Sequence, residues 1–121
     1  EHEVSGMYPE VAHGAGLAAI WCSWARYVYS ANIPRWLQYS ANVWNLDVDY
    51  EHPEKTIETA INMQEQYYKS IGMPTDLRSL GVKEEDLEKL ALKCTRNKSR
   101  NLPGYKTLEY EDILNIYRMA Y

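Results

Sequence analysis

Phenylalanine is missing from the 121 residues, and cysteine and histidine occur only two and three times. Cys22 and Cys94 stand far apart in no metal-binding spacing, too few for a disulfide scaffold, which fits a reducing compartment. No apolar run approaches the ~20 residues of a membrane span, the longest stretch being Gly14 to Cys22, so a membrane-crossing chain is excluded. Basic residues are in deficit, 13 against 17 acidic, for a net charge of −4, and their only local run is Arg96, Lys98 and Arg100. That balance argues against a nucleic-acid binder. A glycine-rich phosphate loop behind a strand and a serine nucleophile elbow are both absent. So are alternating strand patterns, internal repeats and low-complexity segments.

What is present is a globular composition, 45% apolar and 25% charged. A chain this long buries roughly two-thirds of its unfolded surface, enough for one core and one domain over residues 1–121. Val11 to Ser30 carries Leu17, Ile20, Trp21, Trp24, Tyr27 and Val28 at three- and four-residue steps behind Pro9, which predicts a long, mostly buried helix. Gly14 and Gly16 cost that helix ~1 kcal/mol each relative to Ala, so something must compensate. A second helix opens at Ile33-Pro34 and ends after Trp44 at Asn45-Leu46-Asp47. A third starts at His52-Pro53, carries Ile57, Ala60, Ile61, Gln64, Tyr68 and Ile71 on one face, and stops at Gly72 and Pro74. Thr75-Asp76-Leu77 caps a brief turn ending at Gly81. Lys83 to Thr95, with Leu87, Leu90, Ala91 and Cys94 behind the acidic start Glu84-Glu85-Asp86, is the next helix. Asn97 to Lys106 is a loop, after which Thr107 caps a last helix with the stripe Ile113, Ile116, Tyr117 and Ala120. The expected fold is an all-α bundle of five to six helices. Trp21, Trp24, Tyr27 and Tyr68 belong to its core on this pattern, and Trp36 and Tyr39 to an edge or interface.

Among residues able to carry chemistry, His52 sits at a helix N-cap and receives no role beyond that. His13 lies one turn into the long helix, just ahead of two glycines, Gly14 and Gly16, that strip bulk from the backbone around it. Such a setting suits either a site histidine open to a ligand or a satisfied buried one. Glu10 and His13 form the Glu-x-x-His spacing of di-iron bundles, but no second copy follows, so a self-contained di-iron centre is not expected. His2 and His13 can share a site only if the chain bends near Pro9, and two histidines with one carboxylate would leave a mononuclear metal site short of ligands.

His2-Glu-Val-Ser-Gly-Met-Tyr8 followed by His13-Gly-Ala-Gly-Leu-Ala18 resembles the C-terminal helical domain of iron-containing (group III) alcohol dehydrogenases, butanol dehydrogenase branch. Asn42-Val-Trp44, Ser70-Ile-Gly-Met-Pro-Thr75, Leu80-Gly-Val-Lys-Glu-Glu-Asp86 and Asp112-Ile-Leu-Asn-Ile-Tyr-Arg118 continue the likeness in the family's order. The resemblance implies a divalent metal, iron or zinc, held by one Asp and three His between this domain and an N-terminal nucleotide-binding domain. His13 matches the last histidine ligand, and His2 matches the nearby cleft histidine, the role of a catalytic proton relay. The remaining ligands and the NAD(H)- or NADP(H)-binding loop would lie upstream of Glu1, so no residue of this chain is assigned to the nicotinamide. The family's two histidines stand ten apart, where here they stand eleven apart.

The implied reaction is reversible hydride transfer between a nicotinamide and an aldehyde or primary alcohol, in a cytoplasmic enzyme whose oligomeric state the sequence leaves open, a homodimer being one option. The chain opens at Glu1 without a Met or a leader pattern and is expected to be the C-terminal fragment of such an enzyme, inactive and without tightly bound cofactor by itself. Its partners would be the missing nucleotide-binding domain and a small alcohol or aldehyde, with no nucleic acid or membrane. A cleft face around His13, Ala15 and Ala19 is expected to be exposed. The rival reading is a free-standing helical protein-interaction module.

Overall fold

The computed structural model describes residues 1–121 as six α-helices joined by turns, with no strand. The helices are α1 (His2–Met7), α2 (His13–Val28), α3 (Ile33–Trp44), α4 (Pro53–Ser70), α5 (Leu87–Cys94) and α6 (Tyr110–Ala120), with 3-10 turns at Tyr29–Asn32, Arg78–Leu80 and Glu84–Asp86. No helix is long and apolar enough to cross a membrane. The long helix α2 is the hub: it packs against α4 on one side and α6 on another, α3 pairs with α4, α5 with α6, and α1 closes against α5 and α2. Ile57, Ile61, Leu77, Leu90 and Val4 are fully buried where these faces meet. Each contributes roughly 1.5–3 kcal/mol by leaving water.

Local chemistry explains the boundaries. Pro34 and Pro53 stand in the first turns of α3 and α4, where a missing N–H costs nothing. Asn45 ends α3 in the left-handed region at φ 53°, and Gly72 at φ 77° follows the last turn of α4. The start of α6 falls two residues later than Thr107 predicts. Glu109 is its cap, in a reciprocal box in which the Asp112 carboxylate accepts the Glu109 N–H at 2.9 Å.

After α5 three consecutive non-glycine residues, Arg96, Asn97 and Lys98, take positive φ values of 49°, 55° and 64°. Such backbone costs roughly 1–2 kcal/mol per residue. The buried Thr95 hydroxyl offsets part of that, donating to Ala91 O at 2.9 Å and accepting the Lys98 N–H at 3.1 Å. This turn directs residues 99–109 back over α2, where Leu102 and Leu108 exchange two backbone hydrogen bonds.

Four expectations change. A helix forms over His2–Met7, where no periodicity announced one. Trp36 is core, 4% exposed, rather than edge, because α3 turns it onto Trp21 and Trp24. Leu17, on the apolar pattern of α2, is 48% exposed. Ala19 is buried, so the open face of α2 near its start is His13, Gly14 and Leu17.

Candidate metal centre

Two helix starts bring the site together. Glu1 is the N-cap of α1, its carbonyl accepting the Val4 N–H at 2.7 Å, and His2 is the first residue of that helix. The chain leaves α1 at Tyr8, passes Pro9 and turns on the Val11 N–H bond to Tyr8 O at 2.9 Å, with Val11 buried as its anchor. His13 then opens α2. The bend near Pro9 that a shared site requires is therefore present. The imidazoles of His2 and His13 stack with centroids 5.3 Å apart.

The carboxylate of Glu1, whose side chain is only 5% exposed, lies against His13. Its Oε1 accepts the Ser5 hydroxyl at 2.8 Å, and its Oε2 contacts Nδ1 of His13. That buried Oε2 accepts no other hydrogen bond. One donor atom from each of Glu1, His2 and His13 lies within 4.8 Å of the other two. Imidazole suits zinc or ferrous iron, so His13, braced by the Glu1 carboxylate on Nδ1 and with His2 alongside, fits one position of a divalent cation's donor set.

Gly16 makes the approach of Glu1 feasible. A Cβ there would lie 2.5 Å from Glu1 Oε1 and 2.9 Å from its Cγ. The helix α2 has neither a capping side chain nor an acidic residue in its first turn. Glu1 supplies that negative charge from another element, at the end where the helix dipole favours it. This is the compensation the two glycines call for. Around Gly14, by contrast, a Cβ would meet nothing within 4 Å.

Glu1 also lines an apolar cavity of about 190 Å³, with Ile20, Trp24, Cys94, Leu102 and Tyr117 among its other walls. Burial raises both the Cys94 thiol and the Tyr117 hydroxyl from their ordinary values, so neither contributes charge at neutral pH.

The other chemistry-bearing residues stay outside. Glu10 is exposed and takes no part in the cluster, so the Glu-x-x-His spacing builds nothing here. His52 caps α4 by position alone and lies 3.5 Å from Asp49 on the surface. Asp86 accepts the Tyr8 hydroxyl at 2.5 Å, tying α1 to the start of α5. Glu1 is the member of the cluster that sequence reasoning missed. The only local sign of it was the unexplained Gly16, because a carboxylate fifteen positions upstream reaches α2 only after the fold-back.

The pattern of the family described as "Fe-containing alcohol dehydrogenase family, C-terminal" matches residues 1–121. The NADH-dependent butanol dehydrogenase A of Clostridium acetobutylicum is 31% identical over 122 aligned residues, covering 100% of this chain and 31% of that protein. The NADH-dependent butanol dehydrogenase B of the same organism is 24% identical, covering 99% of this chain and 31% of its own length. The crystal structure of NADH-dependent butanol dehydrogenase A from Thermotoga maritima superposes with a TM-score of 0.85 at 28% identity, over 98% of this chain and 31% of that one. This chain thus spans about a third of the length of the relatives it matches.

Proposed function

The chain belongs to the Fe-containing alcohol dehydrogenase family, as its C-terminal helical part, and we propose that it forms the metal- and substrate-side wall of an NAD(P)H-dependent alcohol dehydrogenase. The reaction is reversible reduction of a small aldehyde to a primary alcohol. The observation that carries this reading is the Glu1–His2–His13 cluster, whose Glu1 also lines an apolar cavity. An upstream nucleotide-binding domain supplies the nicotinamide site and the other metal ligands, and the assembled enzyme is a cytoplasmic homodimer.

In this reading His13 is a metal ligand through Nε2. Its Nδ1 faces the Glu1 carboxylate, which fixes the tautomer and raises the basicity of the other nitrogen. When bound, a divalent cation supplies Lewis-acid polarisation of the substrate oxygen. His2 is exposed and makes no hydrogen bond in the structure, so its imidazole is free to pass the alcohol proton to or from water. The alkyl chain of the substrate lies in the apolar cavity, where Ile20 and Leu102 exclude water.

The test is the complete polypeptide, loaded in turn with iron and zinc and assayed for butanal-dependent oxidation of NADH and NADPH. Turnover with at least one metal and one nucleotide supports the reading, whereas a metal-replete protein inert toward short aldehydes refutes it. His2→Gln should lower turnover and alter its pH profile while leaving metal content unchanged.

A further inference from the structure

Trp24 is the one side chain that lines both of two largely apolar cavities. On one side lies the apolar cavity of about 190 Å³ that begins at Glu1. On the other lies a cavity of about 400 Å³ walled by Trp21, Trp36, Tyr39 and Tyr105, with Arg35 and Gln38 among its lining. Gly16, Ile20 and Trp24 follow each other at four-residue steps along one ridge of α2, so the indole stands ~12 Å along the helix from the residue beneath the Glu1 carboxylate. At about 30 Å³ for each water-sized group, the inner cavity takes roughly six heavy atoms. The outer one would take a flat ring.

The indole is a fixed wall rather than a loose flap. It packs in tilted contacts with Trp21 at 6.2 Å, Trp36 at 5.9 Å and Tyr105 at 6.3 Å between ring centroids. Those three partners all lie on the side of the outer cavity, and they come from α2, α3 and the loop after α5, so the wall is braced from three directions.

Resting on the dehydrogenase reading above, we propose that Trp24 sets the substrate range: it ends the inner cavity at a short alkyl chain and bars arylalkyl alcohols from the aromatic cavity behind it. Shortening this side chain joins the two spaces and offers a phenyl group the four aromatic walls Trp21, Trp36, Tyr39 and Tyr105 at the far end of an alkyl tether.

The experiment compares 1-butanol with 4-phenyl-1-butanol in the complete enzyme, for wild type, Trp24→Leu and Trp24→Ala. Binding is read by saturation-transfer NMR and turnover by kcat/KM. The expected result is a wild type that favours 1-butanol in both measures. In Trp24→Ala the ratio for the aryl substrate should rise by ~10-fold or more, the scale at which a pocket discriminates small apolar groups, with Trp24→Leu in between. Trp24→Leu keeps an apolar side chain on the ridge and carries the test if the alanine variant fails to fold. A wild type that binds 4-phenyl-1-butanol as well as 1-butanol overturns the proposal without any variant, and so does an unchanged ratio in a folded variant. If alcohols bind with the expected ratios but none is oxidised, the dehydrogenase reading fails and the partition stands; if butanol is oxidised while the ratio does not move, the partition alone fails.

Discussion

The rings of His2 and His13 lie stacked, their planes inclined by only 20° and their centroids 5.3 Å apart, although eleven positions separate them in the chain. Both are the first residues of their helices. The turn between α1 and α2 therefore delivers two bases and the Glu1 carboxylate to one spot, and each can be removed separately.

His13→Ala in the complete enzyme should lose bound metal and activity together. Glu1→Gln, which keeps the shape but removes the charge facing Nδ1, should weaken metal affinity by about 10- to 100-fold. Elemental analysis after dialysis against graded chelator reads both, and a fully metallated His13→Ala protein would falsify the ligand assignment.

The two glycines of α2 should respond differently to alanine. Gly14→Ala has open space and should stabilise the chain by roughly 0.5–1 kcal/mol through helix propensity alone. Gly16→Ala meets the end of the Glu1 side chain. That carboxylate can swing away, so the propensity gain is largely cancelled while the contact with His13 is lost. Thermal unfolding and the His13 imidazole NMR resonances separate the two, and equal stabilisation with an unmoved His13 signal contradicts the packing described here.

Burial by itself would raise the Glu65 carboxyl, but hydrogen bonds from Arg26 at 2.6 Å and Lys69 at 2.9 Å outweigh it and hold the group below its ordinary value. A depressed folded value contributes stability above the unfolded value of about 4.3, and that stability disappears as pH falls through the folded one. Glu65→Gln should therefore cost about 1 kcal/mol at neutral pH and almost nothing at acid pH. Urea unfolding at pH 7 and pH 3 checks the sign, and a larger loss at pH 3 would be inconsistent with it.

Cys22 is 1% exposed, and burial pushes its thiol up to about 11. At pH 8 only about a thousandth of it is thiolate. In the native chain a thiol reagent should modify Cys22 far more slowly than a free thiol, and both cysteines should react once urea unfolds the core. Fast labelling of native Cys22 would show that α2 and α4 do not close over it.

The helices α2 to α6 were legible in the sequence because their evidence is local. Apolar residues recur every three or four positions, and prolines open what glycine or asparagine closes. His13 and His2 were legible as candidates through their setting and the family motif, and the fold brings the two rings together. The six-residue α1 was not, since it has no side-chain cap and gains its stability from Val4 buried against distant elements. Nor could periodicity decide that Trp36 is buried and Leu17 open, because covering a face depends on which helix arrives there from elsewhere in the chain. The meeting of Glu1 with His13 over Gly16, and the placing of Trp24 between two cavities, belong to the same class. Periodicity is a property of neighbours in sequence, whereas a site and its walls are made by neighbours in space, so only the tertiary structure decided them.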